Sequence, residues 1–182
     1  PCTAKPSVSL KNILDNNGIT VSCVGKIGDI FDGYGVSKTQ KTKSNLDGMD
    51  VTISEAKNEQ FNKGFCFVNL VEFDSEYGHR RNVKGYGKAI EEFDAKLNTL
   101  VNIIKDDDLL IITADHGNDP SWSGSDHTRE KVPFIAYSKS MEGAGGLPEA
   151  ENFAVIGATV AEIFGVKMPE GTIGTSVLNR LI

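Results

Sequence analysis

The sequence predicts an α/β sandwich built on a mainly parallel sheet. Short runs rich in β-branched residues alternate along the chain with segments of helical periodicity. One run, residues 109–113 (LLIIT), is apolar without interruption, as strands buried on both faces of a parallel sheet are. Polar loops containing Asp and His follow two of the apolar runs, and the crevice beyond the carboxyl ends of such strands is where α/β proteins collect ligands.

Taken in order, residues 8–17 (VSLKNILDNN) have helical spacing, with Ser7 or Ser9 as N-cap and Gly18 as the stop. Residues 19–24 read as a short buried strand. The stretch 25–35 (GKIGDIFDGYG), with four glycines and two aspartates, reads as a connecting loop. A helix is expected over 50–60 and a nine-residue strand over 65–73 (FCFVNLVEF), followed by a charged loop over 74–84. Residues 86–105 carry an apolar stripe at Ile90, Phe93, Leu97, Leu100, Val101 and Ile104, a helix of about five turns. Strands over 109–113 and 132–137 (VPFIAY) and a helix over 152–164 complete the pattern. No internal repeat, low-complexity segment or domain linker interrupts it.

The 182 residues suffice for one domain or for a large part of a bigger one. A net charge of −6, with scattered lysines and arginines, argues against nonspecific nucleic-acid binding, which needs a basic surface to displace counterions. The partner expected instead is a small molecule. There is no 18-residue apolar stretch and no apolar signal core at the start, so neither a membrane span nor a secretory leader is read. Cys23 and Cys66 fall inside strand-like runs, where thiols pack as small hydrophobes, and the odd count with Cys2 fits a reducing cytoplasm. The opening lacks an initiator Met and is loop-like, which reads as a piece of something longer.

Chemistry concentrates in the histidines, of which there are three. Asp115 and His116 follow the 109–113 run, His127 comes eleven residues after His116, and His79 comes five after Asp74. Asp74, His79, Asp115, His116 and His127 form a mixed oxygen and nitrogen set, which suits Mn²⁺ or Zn²⁺. Five such residues exceed one tetrahedral site and suggest two ions close together, an arrangement that stabilises both attacking and leaving oxygens in a phosphoryl displacement. Other features are weaker. The glycine loop lacks the P-loop spacing, and no Gly-x-Ser-x-Gly elbow occurs. Asp106-Asp107-Asp108 reads as a solvated turn. Arg80 and Arg81 either neutralise phosphate or pair with acidic neighbours.

Several blocks together resemble the bacterial phosphopentomutases of the alkaline phosphatase superfamily. They are Val24-Gly25-Lys26-Ile27-Gly28-Asp29-Ile30-Phe31, Asn69-Leu70-Val71-Glu72-Phe73-Asp74, Tyr77-Gly78-His79-Arg80-Arg81, Thr113-Ala114-Asp115-His116-Gly117-Asn118-Asp119-Pro120 and Asp126-His127-Thr128-Arg129-Glu130-Lys131-Val132-Pro133. The Asp-His-Gly-Asn block marks only the superfamily; the Tyr-Gly-His-Arg-Arg block is far more specific. The resemblance implies an alkaline phosphatase-like core that interconverts (deoxy)ribose 1-phosphate and (deoxy)ribose 5-phosphate. It implies two Mn²⁺ ions and a phosphorylated enzyme threonine primed by a sugar bisphosphate. By motif match, Asp74, His79 and His127 would ligate one metal and Asp115 and His116 the other, and Lys26 would meet substrate phosphate. It further implies that residues 1–182 are the C-terminal portion of the metal-binding core. The cap domain, one metal-binding Asp and the phosphorylated Thr have no counterpart in it, so the chain alone is expected to be inactive and prone to self-association. Two rivals stand beside this reading. Cofactor-independent phosphoglycerate mutase shares the Asp-His-Gly-Asn and His-Thr blocks, and a noncatalytic metal-binding module would hold ions without turning over sugar phosphates.

Overall fold

The structure is a computed structural model and describes residues 9–181. α1 (Leu10–Asn16) starts at Ser9, whose hydroxyl accepts the Asn12 amide, and it stops before Gly18, held at φ 73° in the left-handed region that glycine tolerates. Ser7, the other expected cap, and Cys2 lie outside the described residues. β1 (Thr20–Val24) is the middle strand of a three-stranded parallel sheet, between β2 (Lys38–Gln40) and β3 (Gly64–Val68). Ser22 is paired with Lys38 on one side and with Cys66 on the other.

Side chains alternate across a strand, so β1 faces two layers. On one side, Val21 and Cys23 join Leu14 of α1, Ile19, Ile27 and Val160 of α5 (Ala154–Ile163) in a buried cluster. On the other lies α3 (Asn45–Ala56), against which α4 (Val83–Ile103) packs; Met49, Ile53, Leu100 and Ile104 form the second cluster. Buried Glu55 of α3 takes hydrogen bonds from Lys38 (2.8 Å) and Gln40 (3.0 Å), which fastens β2 to this layer. β2 escapes a hydropathy reading because its three residues are all polar.

Several expectations need correction. The glycine stretch is not all loop, since α2 (Ile27–Ile30) makes one helical turn within it. α3 begins five residues before the expected start, capped by Ser44, whose hydroxyl accepts the Asp47 amide at 3.1 Å, and it ends at Ala56 rather than 60. β3 ends at Val68, well short of residue 73. The cause is a clasp between α3 and the chain beyond the strand. Asn45 N–H donates to Glu72 Oε2 (2.5 Å) and Glu72 N–H to Asn45 Oδ1 (3.0 Å), drawing this apolar stretch away from the sheet. Residues Phe73–Gly78 then form a π-helix, so Asp74 does not directly follow a strand.

In α4 the buried positions are Ala89 and Leu100; Leu100 belongs to the expected stripe, while Ile90 is exposed. β4 (Leu110–Thr113) is not a central parallel strand. It pairs antiparallel with β5 (Phe134–Tyr137) in a separate two-stranded sheet and is only half-buried. Here the apolar run reports neither full burial nor the direction of the partner strand. The fold is α/β, with its parallel sheet flanked by helices. Among the described residues, no helix is long and apolar enough to cross a membrane.

Candidate metal centre

Two segments supply the expected ligands. The first is the π-helix between β3 and α4. Asp74 lies at its start and His79 just past its end, and the His79 N–H donates to the Asp74 carbonyl at 2.9 Å. Five residues along an α-helix would turn two side chains to positions about 140° apart. The wider i→i+5 turn instead brings Asp74 and His79 to the same side. Phe73 anchors this segment on α4, its ring 5.6 Å from Tyr86 and 6.3 Å from Phe93. The Tyr86 phenol is pushed up by burial and by the negative charges of Asp74 and Glu130, so it stays neutral beside the site.

The second segment is the connection 114–133 between β4 and β5. It is pinned across its middle by an antiparallel bridge between Gly117 and Thr128, whose N–H donates to the Gly117 carbonyl at 3.1 Å. A Cβ on Gly117 would collide with the Glu130 carboxylate and the Thr128 carbonyl, so only glycine permits this approach. Asp119 N–H donates to Thr128 Oγ1 (2.6 Å), and Thr128 Oγ1 donates to Glu130 Oε2 (2.6 Å). Residues that alternate with Gly117 and Thr128 share one face of the bridge, which groups His116, Asn118 and His127. The His116 and His127 rings accordingly stack with centroids 3.7 Å apart.

The two segments converge on the Asp74 carboxylate. His127 Nε2 lies 3.3 Å from Asp74 Oδ1 and His79 Nε2 lies 3.4 Å from Asp74 Oδ2, while the two Nε2 atoms are 3.1 Å apart. Donors bound to one ion at about 2.0–2.2 Å stand about 3–3.5 Å from each other, and each of these three separations, two of which end on different oxygens of Asp74, falls in that range. His116 joins through a second triad, the ligand atoms of Asp74, His116 and His127 all lying within 4.8 Å of one another. The tautomers agree with ligation. His79 Nδ1 is 2.5 Å from the Ser125 carbonyl and His116 Nδ1 is 3.2 Å from the Gly117 carbonyl. A carbonyl only accepts, so each Nδ1 carries a proton, which leaves Nε2 as the ring atom a metal would take.

Asp115 stands at the rim, its side chain largely exposed and 3.6 Å from His116 Nε2. The chain thus brings Asp74, His79, His116 and His127 together, with Asp115 adjoining through His116. Lys26 is placed elsewhere, on a cavity of about 180 Å³ that it lines with Gly25, Asp29, Lys41, Thr42 and Val71. Arg80 is exposed and pairs with Glu76 at 3.1 Å, whereas Arg81 turns inward to backbone carbonyls. A sequence reading misses Asn118, whose Nδ2 donates to Asp74 Oδ1 at 2.6 Å. Its place in the Asp-His-Gly-Asn block was the available signal.

Comparison with known proteins bears on this geometry. The sequence model of the metalloenzyme superfamily matches residues 5–168. The chain is 57% identical over 170 residues to a phosphopentomutase of Agathobacter rectalis, covering 93% of this chain and 42% of that protein. It is 56% identical over 171 residues to phosphopentomutases of Clostridium beijerinckii and Clostridium perfringens, in each case 94% of this chain and 43% of the relative. The chain therefore spans less than half the length of the curated relatives it matches.

Proposed function

The chain belongs to the metalloenzyme superfamily, and from that premise we propose that it is the metal-binding portion of a phosphopentomutase. In this reading the parent protein interconverts (deoxy)ribose 1-phosphate and (deoxy)ribose 5-phosphate through a phosphorylated threonine, primed by a sugar bisphosphate. Asp74, His79 and His127 hold one Mn²⁺, while Asp115 and His116 contribute to a second. Bound there, the ions would stabilise negative charge on the transferring phosphoryl group. The chain's own residues supply the imidazoles, with the Nδ1 protons of His79 and His116 on the Ser125 and Gly117 carbonyls, and the carboxylate on which two of the rings converge. The observation that carries the proposal is the convergence of His79 Nε2 and His127 Nε2, 3.1 Å apart, on the two Asp74 carboxylate oxygens at 3.4 and 3.3 Å. Lys26 remains a proposed phosphate contact, supported by its position beside Lys41 and Thr42 on an open cavity.

The test has two arms. Calorimetric titration with Mn²⁺ is expected to show binding that falls by more than about 10-fold in His79→Ala and in His116→Ala; unchanged binding in both variants removes the metal reading. The parent protein carrying these residues is expected to convert ribose 1-phosphate and to leave phosphoglycerate untouched. Turnover of phosphoglycerate would favour the mutase rival, and Mn²⁺ binding with neither turnover would favour a noncatalytic module. The isolated 182 residues are expected to bind metal without isomerising ribose 1-phosphate, since no motif in them matches the phosphorylated threonine of the family.

A further inference from the structure

We propose that Arg81 is a positioning residue of the metal centre, a clamp that fixes Asp74 through Asn118 and holds the strand of chain against which His79 and His127 are set. The inference rests on the metal reading above. Arg81 adopts φ 52°, a left-handed conformation that a residue with a bulky side chain adopts only where its surroundings over-determine it. What determines it is visible at the guanidinium. Nη1 donates to the carbonyls of Gly78 (3.1 Å) and Asp119 (2.7 Å) and to Asn118 Oδ1 (2.7 Å). Nη2 donates to the Asp126 carbonyl at 2.6 Å, and Nε to the Gly124 carbonyl.

Every acceptor is a neutral oxygen, and together they come from three separate stretches: the end of the π-helix, residues 118–119 and residues 124–126. Nη1 shares its two N–H groups among three acceptors, Nε is engaged, and Nη2 spends one of its two on Asp126, so most of the fork is committed to the protein itself. These hydrogen bonds go to backbone carbonyls and to Asn118, not to an acidic side chain.

The link to Asp74 follows from donor and acceptor chemistry. An arginine can only donate and a carboxylate can only accept, so the Asn118 amide has one permitted orientation: Oδ1 toward Arg81 and Nδ2 toward Asp74 Oδ1, the oxygen that also faces His127. Gly78 makes room for this relay, because a Cβ there would lie 2.5 Å from Asn118 Nδ2. The second arm runs through 124–126. Ser125, between two of the clamped carbonyls, accepts the Nδ1 proton of His79, and Asp126 precedes His127. One side chain thus orders three of the donors without touching any of them.

The experiment is Mn²⁺ titration by calorimetry on the full 182-residue chain and on Arg81→Lys, Arg81→Gly, Asn118→Leu and the Arg81→Lys/Asn118→Leu double variant. His79→Ala serves as a ligand control, and thermal unfolding in chelator reports folding without metal. Lysine keeps the charge but lacks the fork, and glycine relieves the left-handed backbone while deleting the side chain. Each single variant is expected to lose about 10–100-fold in Mn²⁺ affinity while keeping a cooperative metal-free transition. The double variant is expected to lose little more than the worse single, because both break one relay. Wild-type affinity in both Arg81 variants, with affinity lost in His79→Ala, overturns the clamp. So does a loss that tracks only the unfolded fraction. Wild-type affinity in His79→Ala as well would instead overturn the metal reading beneath it.

Discussion

The three imidazoles and two carboxylates proposed as ligands stand out one residue at a time, because Asp and His after apolar runs are few in this sequence and their chemistry is distinctive. Asn118 and Arg81 do not, since an amide or a guanidinium in a polar loop looks the same whether it orders a site or faces water. The cysteines show burial as the largest influence on their thiols. Burial pushes the Cys66 thiol up to about 12, reinforced by the charges of Glu55 and Cys23 and opposed by Lys38, and burial also raises Cys23. A thiol whose folded pKa lies above its unfolded value of about 8.5 favours the native state fully below that pH. This contribution is lost as pH climbs toward 12. In a Cys2→Ser background, a disulfide reagent at pH 8 is therefore expected to leave Cys23 and Cys66 unmodified in the native chain and to label both in denaturant. Fast native labelling of Cys66 would show that its strand opens far more often than this structure implies.

At the scale of elements, the ends of α1 follow from its cap and stop and most of α4 from its periodicity, because those signals are local. The Asn82 cap that starts α4 at Val83, inside the expected loop, escapes that reading. So does the π-helix, although the Asp-to-His spacing of five was plain. What closes the wide turn is tertiary: the Asn45–Glu72 clasp pulls the chain off β3, and Phe73 seats against Tyr86 and Phe93. This separates stability from site geometry in a way that two substitutions can measure. Leu100 of α4 is buried in the second cluster, away from the π-helix, and Leu100→Ala is expected to cost about 2–5 kcal/mol in urea unfolding. Mn²⁺ affinity of the folded fraction should be unaffected. Phe73→Ala removes the ring contacts that seat the helix and is expected to weaken Mn²⁺ binding several-fold at a smaller stability cost, about 1–3 kcal/mol. Equal affinity in both variants would mean the π-helix holds its geometry without α4.

For the whole molecule, the misjudged strand has the largest consequence. β4 and β5 form a two-stranded sheet rather than joining the parallel one, and a ribbon of two strands is marginal when its edges are unpaired. Ile135 and Tyr137 alternate outward along β5, 53% and 39% exposed, so the edge strand also carries apolar side chains into solvent. Burying them between two copies would be favourable, while the charge of −6 on each copy opposes their approach. These two effects respond to salt in a way that identifies the contact. Screening weakens the repulsion and leaves apolar burial intact, so association should strengthen as ionic strength rises. Sedimentation of the 182-residue chain is expected to show concentration-dependent self-association that increases between low and high salt. The Ile135→Lys/Tyr137→Lys variant should remain monomeric across the same range. Association that weakened with salt would point to ion pairs instead, and a wild-type chain monomeric at every concentration would show that the exposed ribbon is tolerated as it stands.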